Sequence, residues 1–291
     1  MEARAKRNAA SAGPRAGAEV RRVCALRSVP GVEAISLEGV SQPFPRHFHD
    51  FWTVGAFARG RRRTSCGGRT LDVGPGQAVL FAPGEAHGCR PADDAALCYR
   101  SVTVPDALLA RLLGGSGEPG RPESFVVRDA TLIRAVADVC ALAASPDADA
   151  LAQEEALAVL VARIAAHCAP DGQRTSDAAA SSSAGVERAR ALLERNCVEG
   201  ASLSELAEVA GLSRCHLVRA FSARTGLTPH RYLQTLRANR ARHLLADGLA
   251  PAQAAARSGF SDQAHLTRVF KAHFGLTPAR YRAGAERGRR S

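Results

Sequence analysis

The sequence predicts a two-domain α+β protein with a β-rich N-terminal part and an all-helical C-terminal third. Three observations support this class. Residues 23–104 alternate short apolar runs with glycine and proline turns, apolar residues recur at helical spacing after Pro105, and the final third contains one 17-residue segment twice. The 291 residues are enough for two separate hydrophobic cores.

Charge is distributed unevenly along the chain. Residues 1–22 hold six basic and two acidic side chains, residues 23–183 hold 15 and 18, and residues 184–291 hold 18 and eight. The net charges are therefore +4, −3 and +10. We expect residues 1–22 to form a disordered basic arm. A basic C-terminal third attracts the phosphate backbone, which supplies most non-specific affinity for nucleic acids.

The composition argues against membrane and secreted classes. No apolar run approaches the roughly 20 residues of a membrane-spanning helix, and no apolar segment follows the basic N terminus as it would in a secretory signal. The eight cysteines contain no C-x-x-C pair, which is typical of reduced thiols rather than of a disulfide framework or structural zinc. We therefore expect a soluble, cytoplasmic protein without a membrane partner.

The N-terminal region has the regularly spaced turns that are typical of a β-sandwich or β-barrel. Apolar runs at Trp52–Phe57 and Ala78–Phe81 are separated by turn signals that recur every 8–10 residues, at 67–68, 74–76 and 83–84. The basic segment 59–63, RGRRR, is predicted to be a solvated hairpin, with contact to an anionic effector or to DNA as the alternative.

Helical spacing predicts two helices, Asp129–Ala144 and Ala150–Cys168. We expect them to flank the β domain and to form a homodimer interface. Residues 170–185 are rich in Ser, Ala and Gly and are predicted to be a linker. The resulting organisation is an arm at 1–22, a sensing and dimerisation domain at 23–169, the linker, a helical domain at 186–286 and a basic tail at 287–291.

The repeat has the form of a tandem helix-turn-helix. HLVRAFSARTGLTPHRY starts at His216, HLTRVFKAHFGLTPARY starts at His265, and 11 of the 17 positions are identical. Each copy follows a Gly–apolar–Ser turn and a short Ala-rich helical stretch. A helix from Pro229 to about Ala246 joins the units and spans about 27 Å. This length can hold two recognition helices about one DNA turn, roughly 34 Å, apart.

The second helix of each unit should present its N-terminal half to base edges in the major groove. Arginine can read guanine, glutamine can read adenine, and threonine or valine can touch a thymine methyl group. Ser213 and Ser261 are expected to cap these helices, where free N–H groups favour phosphate. The exposed faces then carry Arg214, Cys215, Val218 and Arg219 in the first helix and Asp262, Gln263, Thr267 and Arg268 in the second.

Residues 186–286 resemble the DNA-binding domain of the AraC family of bacterial transcription regulators. The matching text is SLSELAEVAGLSRCHLVRAFSARTGLTPHRYL and AARSGFSDQAHLTRVFKAHFGLTPARYR, separated by the joining helix. The resemblance implies a seven-helix, homeodomain-like domain, double-stranded DNA as partner and RNA polymerase as a further candidate partner. It implies base contacts from Cys215, Val218, Arg219, Gln263, Ala264, Thr267 and Arg268.

The segment PRHFHD at 45–50 and the later Gly76…His87 segment resemble the two short motifs of cupin β-barrels, the usual sensor domain of the same family. The resemblance places His47, His49 and His87 at metal-ligand positions, but the carboxylate expected after His49 is absent. Glu85 or Cys89 are the substitutes. Three alternatives stay open, namely a metal ion, a metal-free effector pocket, which we favour, and a structural role. The candidate effector-binding residues are His47, His49, Trp52, Glu85 and His87.

These patterns together predict a transcriptional regulator controlled by a small molecule in the barrel, without a cofactor and without enzymatic activity. The alternative is a metal-dependent cupin enzyme fused to a DNA-binding domain. The missing carboxylate argues against this enzyme, and the sequence offers no other acid–base or nucleophile constellation. No pattern identifies the effector, the operator or the sign of regulation.

Overall fold

A computed structural model describes residues 19–113, 120–146, 148–168 and 180–290. In these ranges the N-terminal domain is built from two antiparallel sheets that face each other. The larger sheet has the order β1-β2-β9-β4-β7-β10, and the smaller has the order β3-β8-β5-β6. The strands are β1 (Val20–Ala25), β2 (Glu33–Val40), β3 (Phe44–His47), β4 (Phe51–Arg59), β5 (Arg62–Cys66), β6 (Arg69–Val73), β7 (Ala78–Phe81), β8 (His87–Pro91), β9 (Leu97–Pro105) and β10 (Val126–Val127).

Strand β4 shows how the sheet separates two environments. Successive side chains of a strand point to opposite faces. Phe51, Thr53 and Phe57 therefore face the space between the sheets, while Trp52 and Val54 pack into the core beneath the flanking helices. Both faces of this strand are buried, so its sequence is an apolar run without visible alternation.

Gly55 is required by a close approach within the larger sheet. A Cβ atom built on Gly55 would lie 1.8 Å from the hydroxyl oxygen of Tyr99. The Tyr99 ring therefore passes directly over β4 toward the space between the sheets, which a larger residue at position 55 would prevent.

In the described part of this domain, three helices flank the larger sheet: α1 (Asp106–Leu112), α2 (Ala130–Ala144) and α3 (Ala150–Ala165). Helix α2 buries Leu132, Val136 and Val139 in the core that it shares with β4 and β9. The Asp129 carboxylate caps α2 by accepting the N–H groups of residues 131 and 132. The two helices predicted from periodicity are thus confirmed, although α3 ends three residues before Cys168.

The C-terminal domain contains the seven expected helices. Gly226 and Gly275 end the second helix of each unit at a φ of 75°, the left-handed conformation that favours glycine. Thr228 then caps the joining helix, which starts with Pro229. The helices are α4 (Ala180–Arg195), α5 (Leu203–Ala210), α6 (Arg214–Thr225), α7 (Pro229–Ala246), α8 (Pro251–Arg257), α9 (Gln263–Phe274) and α10 (Pro278–Arg290).

Two predicted boundaries of the helical domain differ from the observed ends of its helices. Helix α4 already begins at Ala180, inside the predicted linker, and a Cβ atom on Gly185 would lie 2.4 Å from the Ala210 carbonyl oxygen. This glycine therefore permits close packing of α4 on α5 rather than chain flexibility. Helix α10 continues to Arg290, into the predicted tail. Residues 1–18 and 169–179 of the predicted arm and linker lie outside the described residues.

The arm prediction also ends too late. Strand β1 starts at Val20, and the buried Arg21 side chain donates to the Gly275 carbonyl in the C-terminal domain. Charge alone predicts a solvated segment here, but a tertiary contact buries one of its arginines. In the described part of the chain, no helix combines the length and the apolar character needed to cross a membrane.

Candidate effector cavity and nucleic-acid interface

A cavity of about 100 Å³ lies between the two sheets. Strands from both sheets supply its walls, and the end of α9 supplies one more side. Its lining is mostly aromatic and aliphatic, with hydroxyl and imidazole groups at a few positions, and no charged side chain is present among the described residues that line it. The main lining side chains are Phe44, His47, His49, Phe51, Thr53, Phe57, Thr64, Phe81, His87, Tyr99, Thr103, His273 and Phe274.

Three of the predicted histidines meet in this cavity. One ligand atom of each of His47, His49 and His87 lies within 4.8 Å of those of the other two, and all three side chains are buried. His47 Nδ1 is 2.6 Å from the Pro45 carbonyl oxygen, and His87 Nδ1 is 2.8 Å from the Glu85 carbonyl oxygen. Because a carbonyl accepts a hydrogen, each Nδ1 carries the proton and each Nε2 presents a lone pair.

These imidazoles are uncharged at neutral pH. Burial, followed by the neighbouring imidazoles, lowers the pKa values of His47 and His49 well below the usual value. Burial also lowers the pKa of His87 to about 4. The cavity therefore presents neutral hydrogen-bonding groups rather than a positive charge.

The histidine cluster fits a metal ion in ligand type and spacing, but it lacks the two predicted substitutes for the missing carboxylate. Glu85 accepts the Ala82 N–H and an N–H of Arg121 instead of pointing into the cluster. Cys89 lines the cavity but does not belong to the cluster. The three imidazoles thus fit three ligand positions of a metal ion, and the fourth ligand would have to come from another group.

Two of the residues predicted to bind the effector do not line the cavity. Trp52 lies on the opposite face of β4, where its indole N–H donates to Asp106 Oδ1 at 2.8 Å, and Glu85 is turned away as described. The aromatic residue that faces the cavity is the neighbouring Phe51. Sequence reasoning missed Thr53, Thr64 and Thr103. Thr53 lies four residues before Phe57 on β4, and this even spacing puts both side chains on the same face of the strand. Thr53 could therefore have been predicted once the inward face of β4 was known.

The C-terminal domain closes one side of the cavity. His273 and Phe274, the last two residues of α9, line the cavity together with residues of the two sheets. The His273 ring centroid is 5.0 Å from that of His47, and the Phe274 ring stacks on His49 at 5.4 Å. No local pattern predicts this contact, because the two segments are separated by more than 200 residues in the chain.

A buried ionic cluster fixes the two domains to each other. Arg242 on α7 donates to Glu33 on β2 at 2.7 Å, and the Tyr281 hydroxyl on α10 donates to the other oxygen of the same carboxylate. The Arg242 guanidinium also lies 4.0 Å from the centre of the Phe51 ring, a cation–π distance. Since Phe51 is also a cavity residue, this cluster links the domain interface to the cavity wall.

The basic 59–63 segment is only partly a solvated hairpin. Arg59, Arg61 and Arg63 are exposed, whereas Arg62 is fully buried. The Arg62 guanidinium donates to the carbonyl oxygens of Val40, Ser41 and Gln42. It therefore fixes the turn after β2 instead of contacting an effector or DNA.

In both recognition helices, the charged and amide residues of the predicted faces are exposed to solvent. On α6, Arg214 and Arg219 are exposed and Val218 is half-buried, while Leu217 and Phe221 form the core. The Ser213 hydroxyl caps this helix by accepting the His216 N–H at 3.3 Å. The side-chain placement of Cys215 lies outside what the structure describes.

On α9, Gln263, Ala264 and Arg268 are exposed. Thr267 is half-buried, and its hydroxyl donates to the Gln263 carbonyl at 2.8 Å. Exposure on the groove-facing half of both helices is the condition that base readout requires.

Ser261 does not cap α9 as predicted. The cap is Asp262, whose carboxylate accepts the His265 N–H at 2.7 Å, and the Ser261 hydroxyl donates to that carboxylate. A carboxylate is a charged acceptor and complements the positive end of the helix dipole, so it displaces the neighbouring serine from the capping role. The second unit therefore has a negative charge where the first has a neutral hydroxyl.

Comparisons with known proteins agree with this architecture. Residues 29–160 match the family model described as an AraC-like ligand binding domain, and residues 206–284 match a helix-turn-helix domain. A Bacillus subtilis (strain 168) protein named as the uncharacterized HTH-type transcriptional regulator YbfI is 33% identical over 236 residues, which cover 80% of this chain and 85% of that protein. The transcriptional activator RhaS of Klebsiella pneumoniae (strain 342) is 26% identical over 74% of this chain and 79% of its own.

The fold is also found in solved structures. ToxT from Vibrio cholerae O395 superposes with a TM-score of 0.54 and 12% identity, covering 88% of this chain and 99% of that one. At this identity the likeness shows the two-domain fold alone. The family models and the curated relatives indicate a transcriptional regulator with a ligand-binding domain and a DNA-binding domain, and they favour it over the enzymatic alternative. The chain belongs to the AraC family of transcriptional regulators.

Proposed function

We propose that a small molecule bound between the two sheets controls how the two recognition helices engage DNA. One observation carries this proposal: α9 takes part in both sites. Its N-terminal half exposes Gln263 and Arg268, and its last two residues line the cavity. Arg268 and His273 are five residues apart, which is about 7.5 Å along a helix axis.

Helix α9 is a rigid connection because its interior is packed. Leu266 and Phe270 are completely buried in the core of the second unit, so the helix moves as a body with that unit. A molecule that touches His273 or Phe274 binds with different affinity to the docked and the displaced arrangements of α9. That difference in affinity is the coupling free energy between effector and DNA.

The family supports a cavity that binds small molecules, since one solved ToxT structure is described as bound to an unsaturated fatty acid. In this chain the pocket is proposed to work without a metal. His47, His49 and His87 could hold an ion such as Zn²⁺, which would supply a Lewis-acidic anchor for a ligand. Hydrogen bonding by the neutral imidazoles is sufficient for the proposed control.

The regulator is proposed to act in the cytoplasm as a homodimer that changes access of RNA polymerase to its promoters. Helix α3 packs on α2 with one face and leaves Leu151 and Val159 exposed on the other, at 61% and 49%. Two apolar side chains eight residues apart lie on one side of a helix. This side of α3 is the surface that we assign to the dimer interface.

Selection of bound sequences from a random DNA pool, with the full-length protein at low and at higher salt, tests the DNA-binding proposal. We expect a motif of two blocks about 10 base pairs apart, one for each recognition helix, that survives the higher salt. A homodimer would select two copies of this motif. Salt-sensitive binding without any motif would contradict sequence-specific readout, and a single copy would contradict the dimer.

A filled cavity should change DNA affinity without any effector. Thr64→Phe places a ring in the cavity from β5, and we expect its operator affinity to change by about 5- to 150-fold, the usual range of allosteric coupling. Thr70→Phe makes the same substitution on the exposed strand β6 and should leave the affinity unchanged. Fluorescence anisotropy with the selected operator measures both. Equal affinities of a folded Thr64→Phe protein and the control would contradict the coupling.

A further inference from the structure

The cavity holds buried polar atoms that have no partner within the protein. Among the described residues these are Nδ1 of His49 and the hydroxyl oxygens of Thr53, Thr64 and Thr103, all on residues at most 7% exposed. All four residues line the same cavity. Buried polar atoms without a hydrogen bond are costly and rare in folded proteins. Their convergence on one space points to a ligand that satisfies them.

The imidazoles determine which hydrogen-bonding groups this ligand must bring. His47 presents an Nε2 lone pair, and His49 Nε2 lies 3.2 Å from it, so the His49 Nε2 carries a hydrogen and its Nδ1 is a bare acceptor. His87 likewise presents Nε2 as an acceptor. This wall of the cavity therefore accepts hydrogen bonds, and a ligand that fits it must donate them.

Charge and size narrow the ligand further. No charged side chain is among the described lining residues, so the lining itself offers no counter-charge to a carboxylate or to an ammonium ion. This cavity measures about 100 Å³, less than the roughly 150 Å³ of a cavity known to hold benzene, so the ligand can have no more than one small ring. The remaining walls include Phe44, Phe57, Phe81 and Phe274, which suit a flat ring.

We propose that the cavity binds an uncharged, single-ring compound that carries at least one hydroxyl group, with phenol and catechol as the simplest members. The ring lies among the phenylalanine side chains, and its hydroxyl group donates to His49 Nδ1 and exchanges hydrogen bonds with the threonine hydroxyls. This assignment rests on the proposed role of the cavity as the effector site, and it names the chemical class of the effector.

Calorimetric titration of the full-length protein, treated with EDTA, tests the class with ring compounds of nearly equal size. We expect phenol and catechol to bind, toluene to bind at least about tenfold more weakly than phenol because it lacks the donor, and benzoate and benzylammonium not to bind. Benzoate binding more tightly than phenol, equal binding of phenol and toluene, or no binding by phenol and catechol would each overturn the proposal. Phenol binding by untreated protein that is lost after EDTA treatment would also overturn it, because the lone pairs would then serve a metal.

Replacing Thr53, Thr64 and Thr103 together by valine keeps the shape of the cavity and removes its hydroxyl groups. The preference for phenol over toluene should fall by about tenfold, while retained toluene binding demonstrates that the variant is folded. Ser258→Ala is the matched control, because it removes a buried, unpartnered hydroxyl outside the cavity and should leave the preference unchanged. An unchanged preference in the triple variant would overturn the assignment. If the triple variant binds neither compound, the three single valine variants are titrated instead. An unchanged preference for phenol over toluene in all three would also overturn the assignment.

Two different results would contradict the proposed chemical class of the ligand and the proposed control of DNA binding. If phenol binds but does not alter operator affinity, the control of DNA binding fails and the class stands. If phenol and catechol do not bind but Thr64→Phe changes operator affinity, the class fails and the control stands.

Discussion

Replacing Arg242 by alanine is expected to lower the free energy of unfolding by about 3–5 kcal/mol. Arg242 and Glu33 are each 7% exposed and form the buried ion pair between α7 and β2. Without the guanidinium, the Glu33 carboxylate remains buried, and among the described residues only the Tyr281 hydroxyl is left as a partner. Loss of a partner from a buried ion pair is costly because the remaining charge is neither solvated nor neutralised.

Urea denaturation followed by two probes measures this effect. The single tryptophan, Trp52, reports on the N-terminal domain, and far-ultraviolet circular dichroism reports mainly on the helices. Because the ion pair joins the domains, we expect the two transitions to separate in Arg242→Ala. Arg240→Ala is the control, since Arg240 is exposed and, within the described ranges, donates only to the Arg257 carbonyl. Its loss should cost at most about 1 kcal/mol.

A double variant identifies the cause of the effect. Arg242→Met combined with Glu33→Gln removes both charges, and it should recover most of the lost stability because no uncompensated buried charge remains. A loss of less than about 1 kcal/mol in Arg242→Ala, or no recovery in the double variant, would show that the pair does not hold the domains together.

Removing Arg219 and Arg268 together should weaken binding to the selected operator by about 2–6 kcal/mol. Each is exposed on a recognition helix, and loss of one bidentate base contact costs about 1–3 kcal/mol. The arginines lie on different helices, and no residue that the structure describes pairs with both, so the two losses should add. The double alanine variant should therefore bind about 30- to 10⁴-fold more weakly.

Single variants separate base readout from phosphate contact. Arg268→Ala should relax the preference at one base pair, whereas a uniform loss over all sequences would make Arg268 a phosphate contact. Arg280→Ala, on the exposed side of α10, serves as the charge-matched control. If the double variant and this control bind the operator with equal affinity, neither Arg219 nor Arg268 contributes to the DNA interface.

The sequence by itself determined the domain order, the tandem helix-turn-helix and the meeting of three histidines. The first two features depend on short-range chemistry that repeats along the chain. The GLTP segments end one helix and begin the next through backbone preferences of glycine and proline. The meeting of His47, His49 and His87 was expected from the resemblance of their two segments to cupin motifs.

The tertiary structure decided what local patterns leave open. Because β4 is buried on both faces, its apolar run does not show whether Trp52 or Phe51 faces the cavity, and only packing against α2 assigns Trp52 to the outer core. Closure of the cavity by His273 and Phe274 and the pairing of Glu33 with Arg242 join segments about 200 residues apart. Such contacts depend on how two completed domains fit together, and no periodicity within either domain encodes that fit.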